Sequence, residues 1–260
     1  MNFNHQTITI TFGDRAENHV GMQMIGTVAD HGFSIEDLNT AKINFENKGC
    51  TCALVNLNQY LPPGASAEGA QILIVRNGVS TILSDIGANA DHLYNELVVL
   101  DYDKKAKMYG RVVNKNARYN LCFDEVAQEP NYEQGRGRIV AYDSVPLSKH
   151  IRETLGTIIA GGSNLAGELN NYEDIRKMGI GFHGDAERLK VIAVRVGETM
   201  PIHYQWFYKG SPVGLRAIIP LHHGDMYIMS QKTTGNDWKK KNIYTLRHAT
   251  GCAKFTTINQ

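Results

Sequence analysis

Within GIGFHGDAER, residues 179 to 188, a histidine and an aspartate stand two positions apart. On a β-strand that spacing projects both side chains from one face, as two ligands of one metal ion require. An imidazole beside a carboxylate suits Fe(II). A second histidine brought in from elsewhere would complete a facial triad that leaves coordination positions open for a cosubstrate and oxygen. The plain alternative is a polar turn, and the pair alone does not choose between them. The chain holds ten histidines, of which His150, His183, His203, His222, His223 and His248 lie in the second half.

The elements that must position such a pair are legible in part. At 260 residues, 42% hydrophobic and 20% charged, the chain is long enough to bury a sizeable core. A formal net charge of +1 gives no global field toward nucleic acid or a membrane surface. No run approaches 18 apolar residues, so no transmembrane helix is expected. The N-terminus lacks a basic segment followed by an apolar one, which predicts an intracellular protein, cytoplasmic or nuclear, rather than a secreted one. Four scattered cysteines, with Cys50-Thr51-Cys52 unlike a zinc ribbon, read as reduced thiols.

TITITF (7–12) alternates as a strand does, and 18–33 carries apolar residues at helical spacing up to a glycine. Ser34 reads as an N-cap for a further turn. CTCALVNL and AQILIVRNGV read as strands around a Pro/Gly-marked loop, so residues 1–104 are expected to form an N-terminal α/β unit. From 105 to 260 short strand-like runs follow one another, ending in KFTTI, with one helix over 146–160. That texture predicts a sandwich, jelly roll or small barrel.

Several motifs around His183 follow a familiar order. Asn170-x-Tyr172 precedes the His-x-Asp, which Glu187 follows; HGDMYIMS spans 223–230; Thr245-x-Arg247 lies in YTLRHATG; and ARYNLCFDE (117–125) lies upstream. Over roughly residues 108–255 the chain resembles the AlkB family of 2-oxoglutarate- and Fe(II)-dependent dioxygenases. The resemblance implies an α+β, mainly β fold: a double-stranded β-helix (jelly roll) core with flanking helices and the N-terminal α/β extension. It implies Fe(II) on His183 and Asp185, and 2-oxoglutarate touched by Asn170 and Tyr172. The free carboxylate would be gripped by Arg247, whose planar fork suits a bidentate partner. Arg118 and Tyr119 would face a substrate that is a nucleic-acid base, flipped or single-stranded. Trp238 with the following lysines and the aromatic HYQWFYKG strand offer further contacts to such a base, or else read as a solvated turn and as core packing.

The family's second histidine does not fall where the pattern puts it, in QKTTGNDWKKKN. His248 is one candidate for the third ligand, with Arg247 or Lys254 then holding the cosubstrate. Neighbours on a regular strand face opposite ways, so Arg247 and His248 share one site only across a bulge. Asp237 is another, giving a set hard enough for Mg²⁺ or Mn²⁺. The third possibility is a lost ligand and a jelly-roll binding module without catalysis. His203, His222 and His223 read as scaffold. A protein or small-molecule substrate stands beside the nucleic-acid base.

Overall fold

The computed structural model describes residues 2–258, which contain sixteen β-strands and six α-helices. The first half of the chain holds β1 (Thr7–Gly13), β2 (Arg15–Glu17), β3 (Met24–Gly26), α1 (Ile35–Asn47), β4 (Thr51–Asn56), β5 (Gln71–Arg76), α2 (Gly78–Leu83) and α3 (Ala90–Val98). Then come β6 (Lys105–Met108), β7 (Arg111–Asn114), β8 (Tyr119–Asp124), β9 (Ile139–Ala141), α4 (Pro146–Ile158), β10 (Ala166–Tyr172) and β11 (Gly179–His183). The last stretch is β12 (Val191–Gly197), β13 (Ile202–Tyr208), β14 (Ser211–Ile219), β15 (Met226–Met229), α5 (Gln231–Thr234), β16 (Thr245–Gly251) and α6 (Ala253–Thr256).

Eight strands form one sheet in the order β4-β5-β15-β12-β1-β10-β8-β9, and four form a second in the order β11-β16-β13-β14. All these pairings are antiparallel except β8 with β9. The hairpins β2–β3 and β6–β7 stand apart from both sheets.

Strand alternation explains the layering. In β1, Ile8, Ile10 and Phe12 join a core shared with α1, α2, α3 and α4, while Thr9 and Thr11 point the other way. In β12, Ile192, Val194 and Val196 face the helices, and Val191 and Ala193 join a second core against Tyr204, Trp206 and Leu246 of the small sheet. With both faces covered, β12 is buried along its whole length. The helix layer is pinned electrostatically. Glu96 of α3 accepts the Leu147 and Ser148 amides at 2.8 and 2.9 Å, placing an anion at the α4 N-terminus.

Three expectations need correction. Residues 18–33 are not helical, because Gly21 and Gly26 hold φ of +84° and +79° and the segment opens the β2–β3 hairpin instead. The helix starts at Ile35, where Ser34 and Asp37 form a reciprocal capping box. KFTTI supplies the short helix α6 rather than a strand. Finally, no structural break falls at residue 104: β1, β4 and β5 lie in the same sheet as β8, β9, β10, β12 and β15, and β1 is central to it. The lone TITITF strand is therefore scaffold for the second half of the chain. No helix among the described residues is long and apolar enough to cross a membrane.

Candidate metal centre

His183 ends β11 and pairs directly with His248 on β16, with a register shift between Ile180 and His183. Asp185 lies just beyond the strand, its amide donating to the Thr234 carbonyl at 2.9 Å. Its Oδ1 sits 3.5 Å from His183 Nε2 and 3.6 Å from His248 Nε2. The three donor atoms lie within 4.8 Å of one another, and among the described residues they form the one group of this kind. Two metal bonds of about 2.1 Å at right angles put their donors about 3 Å apart, so the trio would draw in by a few tenths of an ångström or more to hold an ion. His183 Nδ1 lies 2.8 Å from the Gly181 carbonyl, so this nitrogen carries the proton and leaves the Nε2 lone pair free.

The glycine of His-Gly-Asp has a steric cause. A Cβ on Gly184 would stand 2.0 Å from the Gly235 carbonyl oxygen. Gly184→Ala must push that backbone away; it is expected to cost about 1–3 kcal/mol. A lowered melting temperature together with lowered metal content checks this.

A charged network backs the trio. Arg188, 4% exposed, pairs with Glu168, with Glu187 at 2.7 Å, and reaches Asp185 Oδ2 at 4.0 Å. Burial alone would raise the Asp185 carboxyl, but His248, His183 and Arg188 outweigh it and hold it well below the usual range. Burial, helped by His183, lowers the His248 imidazole below its ordinary value. Ionised aspartate and neutral histidine are the forms that bind metal.

Asp237 is not part of this group. Lys232 Nζ holds it at 2.6 Å, with both side chains nearly buried. Asp237→Asn is expected to lower the melting temperature, because a buried ion pair loses one partner. It should leave bound metal per chain unchanged, which metal analysis of the purified variant checks.

The trio opens onto a cavity of about 460 Å³ between the sheets. Asn170, Tyr172 and Arg118 line it, as the sequence predicts. Asn170 Oδ1 accepts from Arg118 Nε at 2.6 Å and Asn120 Nδ2 at 2.5 Å, and its Nδ2 donates to Glu168 at 3.1 Å, which leaves one N–H of the amide for a ligand. The same bonds orient Arg118. Tyr119 does not line the cavity. Its ring packs against the helix-side core, with Lys104 4.8 Å from its centroid. Phe123 is likewise core, as are Tyr204 and Trp206 of the aromatic strand.

Arg247 also lies outside the cavity. Strand alternation sends His248 inward and Arg247 outward, where its guanidinium stacks 3.9 Å from the Phe207 ring centroid and 5.0 Å from Trp238. No bulge brings the two together. A different arginine lies on the cavity wall: Arg195 of β12, 1% exposed, lines it with Tyr172, Tyr227 and Thr9. Its Nε has no hydrogen-bond partner, its NH1 reaches the Met200 carbonyl at 3.3 Å, and it makes no ion pair among the described residues. The Thr9 hydroxyl beside it is also buried and unpartnered. The signal was present in VIAVRVG, where one charge interrupts a strand otherwise apolar on both faces. A buried cation without a counter-ion is costly unless a ligand supplies one.

No known family model matches the chain. It is 47% identical over 255 residues to the uncharacterized protein R156 of Acanthamoeba polyphaga mimivirus, a match spanning 96% of this chain and 97% of that protein. The chain belongs to the R156 family.

Proposed function

We propose that the chain is an Fe(II)- and 2-oxoglutarate-dependent dioxygenase that oxidises a C–H bond of a small molecule. The observation carrying this is the pairing, in one cavity, of a His183/Asp185/His248 trio with a buried, counter-ion-free Arg195. The donor set suits Fe(II) and leaves positions open. Arg195 offers a fork for a carboxylate remote from the metal, with Tyr172, Tyr227 and Thr9 able to add hydrogen bonds. Bound iron, with 2-oxoglutarate and O₂, would supply C–H oxidation coupled to release of succinate and CO₂.

The topology supports the same reading. From β10 to β13 consecutive strands alternate between the two sheets, β14 turns back beside β13, and β15 and β16 alternate again. This alternation supports the winding of a double-stranded β-helix, in which β1, between β12 and β10, would serve as the eighth strand. On this reading the strand after β16 is supplied by the other end of the chain. The arginine expected near the C-terminus then has no strand to sit on, and β12 carries one instead.

The cavity favours a small-molecule substrate over a nucleic-acid base. Of the base-reading segment only Arg118 reaches it, while Tyr119 and Phe123 are turned into packing. Anaerobic addition of Fe(II) and 2-oxoglutarate is expected to give a weak visible charge-transfer band, and admission of O₂ to give succinate. Absence of both would leave a non-catalytic jelly-roll binding module as the surviving interpretation.

A further inference from the structure

On the cavity wall the ion pairs are confined to Arg188 with Glu168, Glu187 and Asp185, and the two histidine rings lie against Asp185. Arg15, Glu17, Arg118 and Lys239 line the same cavity and make no ion pair among the described residues. Arg15 and Glu17 are two residues apart on β2, so they project from one face, while Ala16 between them packs into a small core on the other. Despite opposite charges, the two side chains do not meet each other.

Each is left with capacity for a ligand. Arg15 Nε is buried and unpartnered. Arg118 spends its Nε on Asn170, leaving its terminal nitrogens unassigned. Glu17 accepts one hydrogen bond, from the Gly21 amide at 2.8 Å. Burial, with Glu187 and Glu168 nearby, pushes its carboxyl up to about 7, a destabilised position that an incoming cation would relieve. Val20 and Met24, both exposed, form the apolar part of the same rim.

We propose that the substrate is a small zwitterion of the α-amino-acid type, its carboxylate held by Arg15 and Arg118 and its ammonium by Glu17. This rests on the dioxygenase reading for its chemistry but not for its binding. Separated positive and negative poles on one strand face match a molecule carrying both charges. A simple amine would leave both arginines unpaired, and a nucleotide phosphate would leave Glu17 facing an anion. Arg188 pulls only weakly on Glu17, against burial and the Glu187 and Glu168 charges, and makes its ion pairs with Glu168 and Glu187 instead.

The test is saturation-transfer NMR on the full chain loaded with Zn(II), a redox-silent ion. The probes are the proteinogenic L-amino acids, their decarboxylated amines, the matching 2-hydroxy acids and nucleoside 5′-monophosphates. At least one amino acid is expected to bind more tightly than its amine and its hydroxy acid. Glu17→Gln should weaken that amino acid about tenfold or more while leaving the hydroxy acid unchanged, which also shows that the variant is folded. Arg15→Met should weaken both. Binding of amines or nucleotides in preference to amino acids, no binding in any class, or equal loss of amino and hydroxy acid in Glu17→Gln would each overturn the proposal. Succinate release without added substrate is read separately: its absence counts against the dioxygenase, and amino-acid binding stands or falls on the NMR alone.

Discussion

Replacing Arg195 with methionine is expected to raise the 2-oxoglutarate concentration for half-maximal succinate release by about a hundredfold or more. A buried guanidinium gripping a carboxylate contributes roughly 2–5 kcal/mol to binding, which at 1.4 kcal/mol per factor of ten spans about thirty to several thousandfold. The same substitution should leave the melting temperature of the ligand-free chain unchanged or higher. In that state the arginine is buried with no counter-ion, and an apolar side chain of similar length removes the desolvation cost. Stabilisation by added 2-oxoglutarate should then shrink toward zero, as ligand linkage requires when affinity falls. Arg195→Lys keeps the charge but not the fork and should recover only part of the affinity. Unchanged 2-oxoglutarate dependence in the methionine variant would remove Arg195 from the site and with it the main support for this cosubstrate.

The same residue shows what the sequence makes legible. Period-2 alternation identified TITITF as a strand, and His-x-Asp was recognisable as a potential ligand pair from two residue types and their spacing. What the alternation could not tell was which strands become neighbours. β1 and β12 lie more than 170 positions apart in the chain yet pair along most of their length. Spacing along the chain therefore gives no link between residues 1–104 and the strands that follow. The family resemblance puts the carboxylate clamp on Arg247, the arginine beside the ligand motif, where the rule that neighbours face opposite ways already argues against sharing a site with His248. The rule held: His248 turned in and Arg247 turned out. The charge of Arg195 inside an otherwise apolar strand is explained only once both sheets are in place around it. Asn170 lies on the cavity, and its bonds to Arg118, Asn120 and Glu168 join it to partners that no spacing rule connects to it.

The other large effect belongs to the third ligand. His248→Ala is expected to lower iron per chain by at least about a hundredfold in affinity, abolish the anaerobic charge-transfer band and bring succinate release to background. Loss of a supporting group around a metal already costs about ten- to a hundredfold, and loss of a ligand exceeds that. His183→Ala should match it, because the two imidazoles face each other across one strand pair and approach the same Asp185 oxygen. Arg247→Ala, one position away, is the control: its side chain lies on the outer face, so metal content should stay intact. The pH dependence follows from the same geometry. Burial and His183 place His248 below the ordinary imidazole value of 6.5, so it is neutral at pH 7 and binding displaces no proton from it. Metal should therefore be retained through neutral pH and released only as acid protonates His248. Full iron occupancy in His248→Ala would return the coordination set to His183 and Asp185 with a ligand from outside the trio. Loss in Arg247→Ala equal to that in His248→Ala would mean that β16 is not oriented as described.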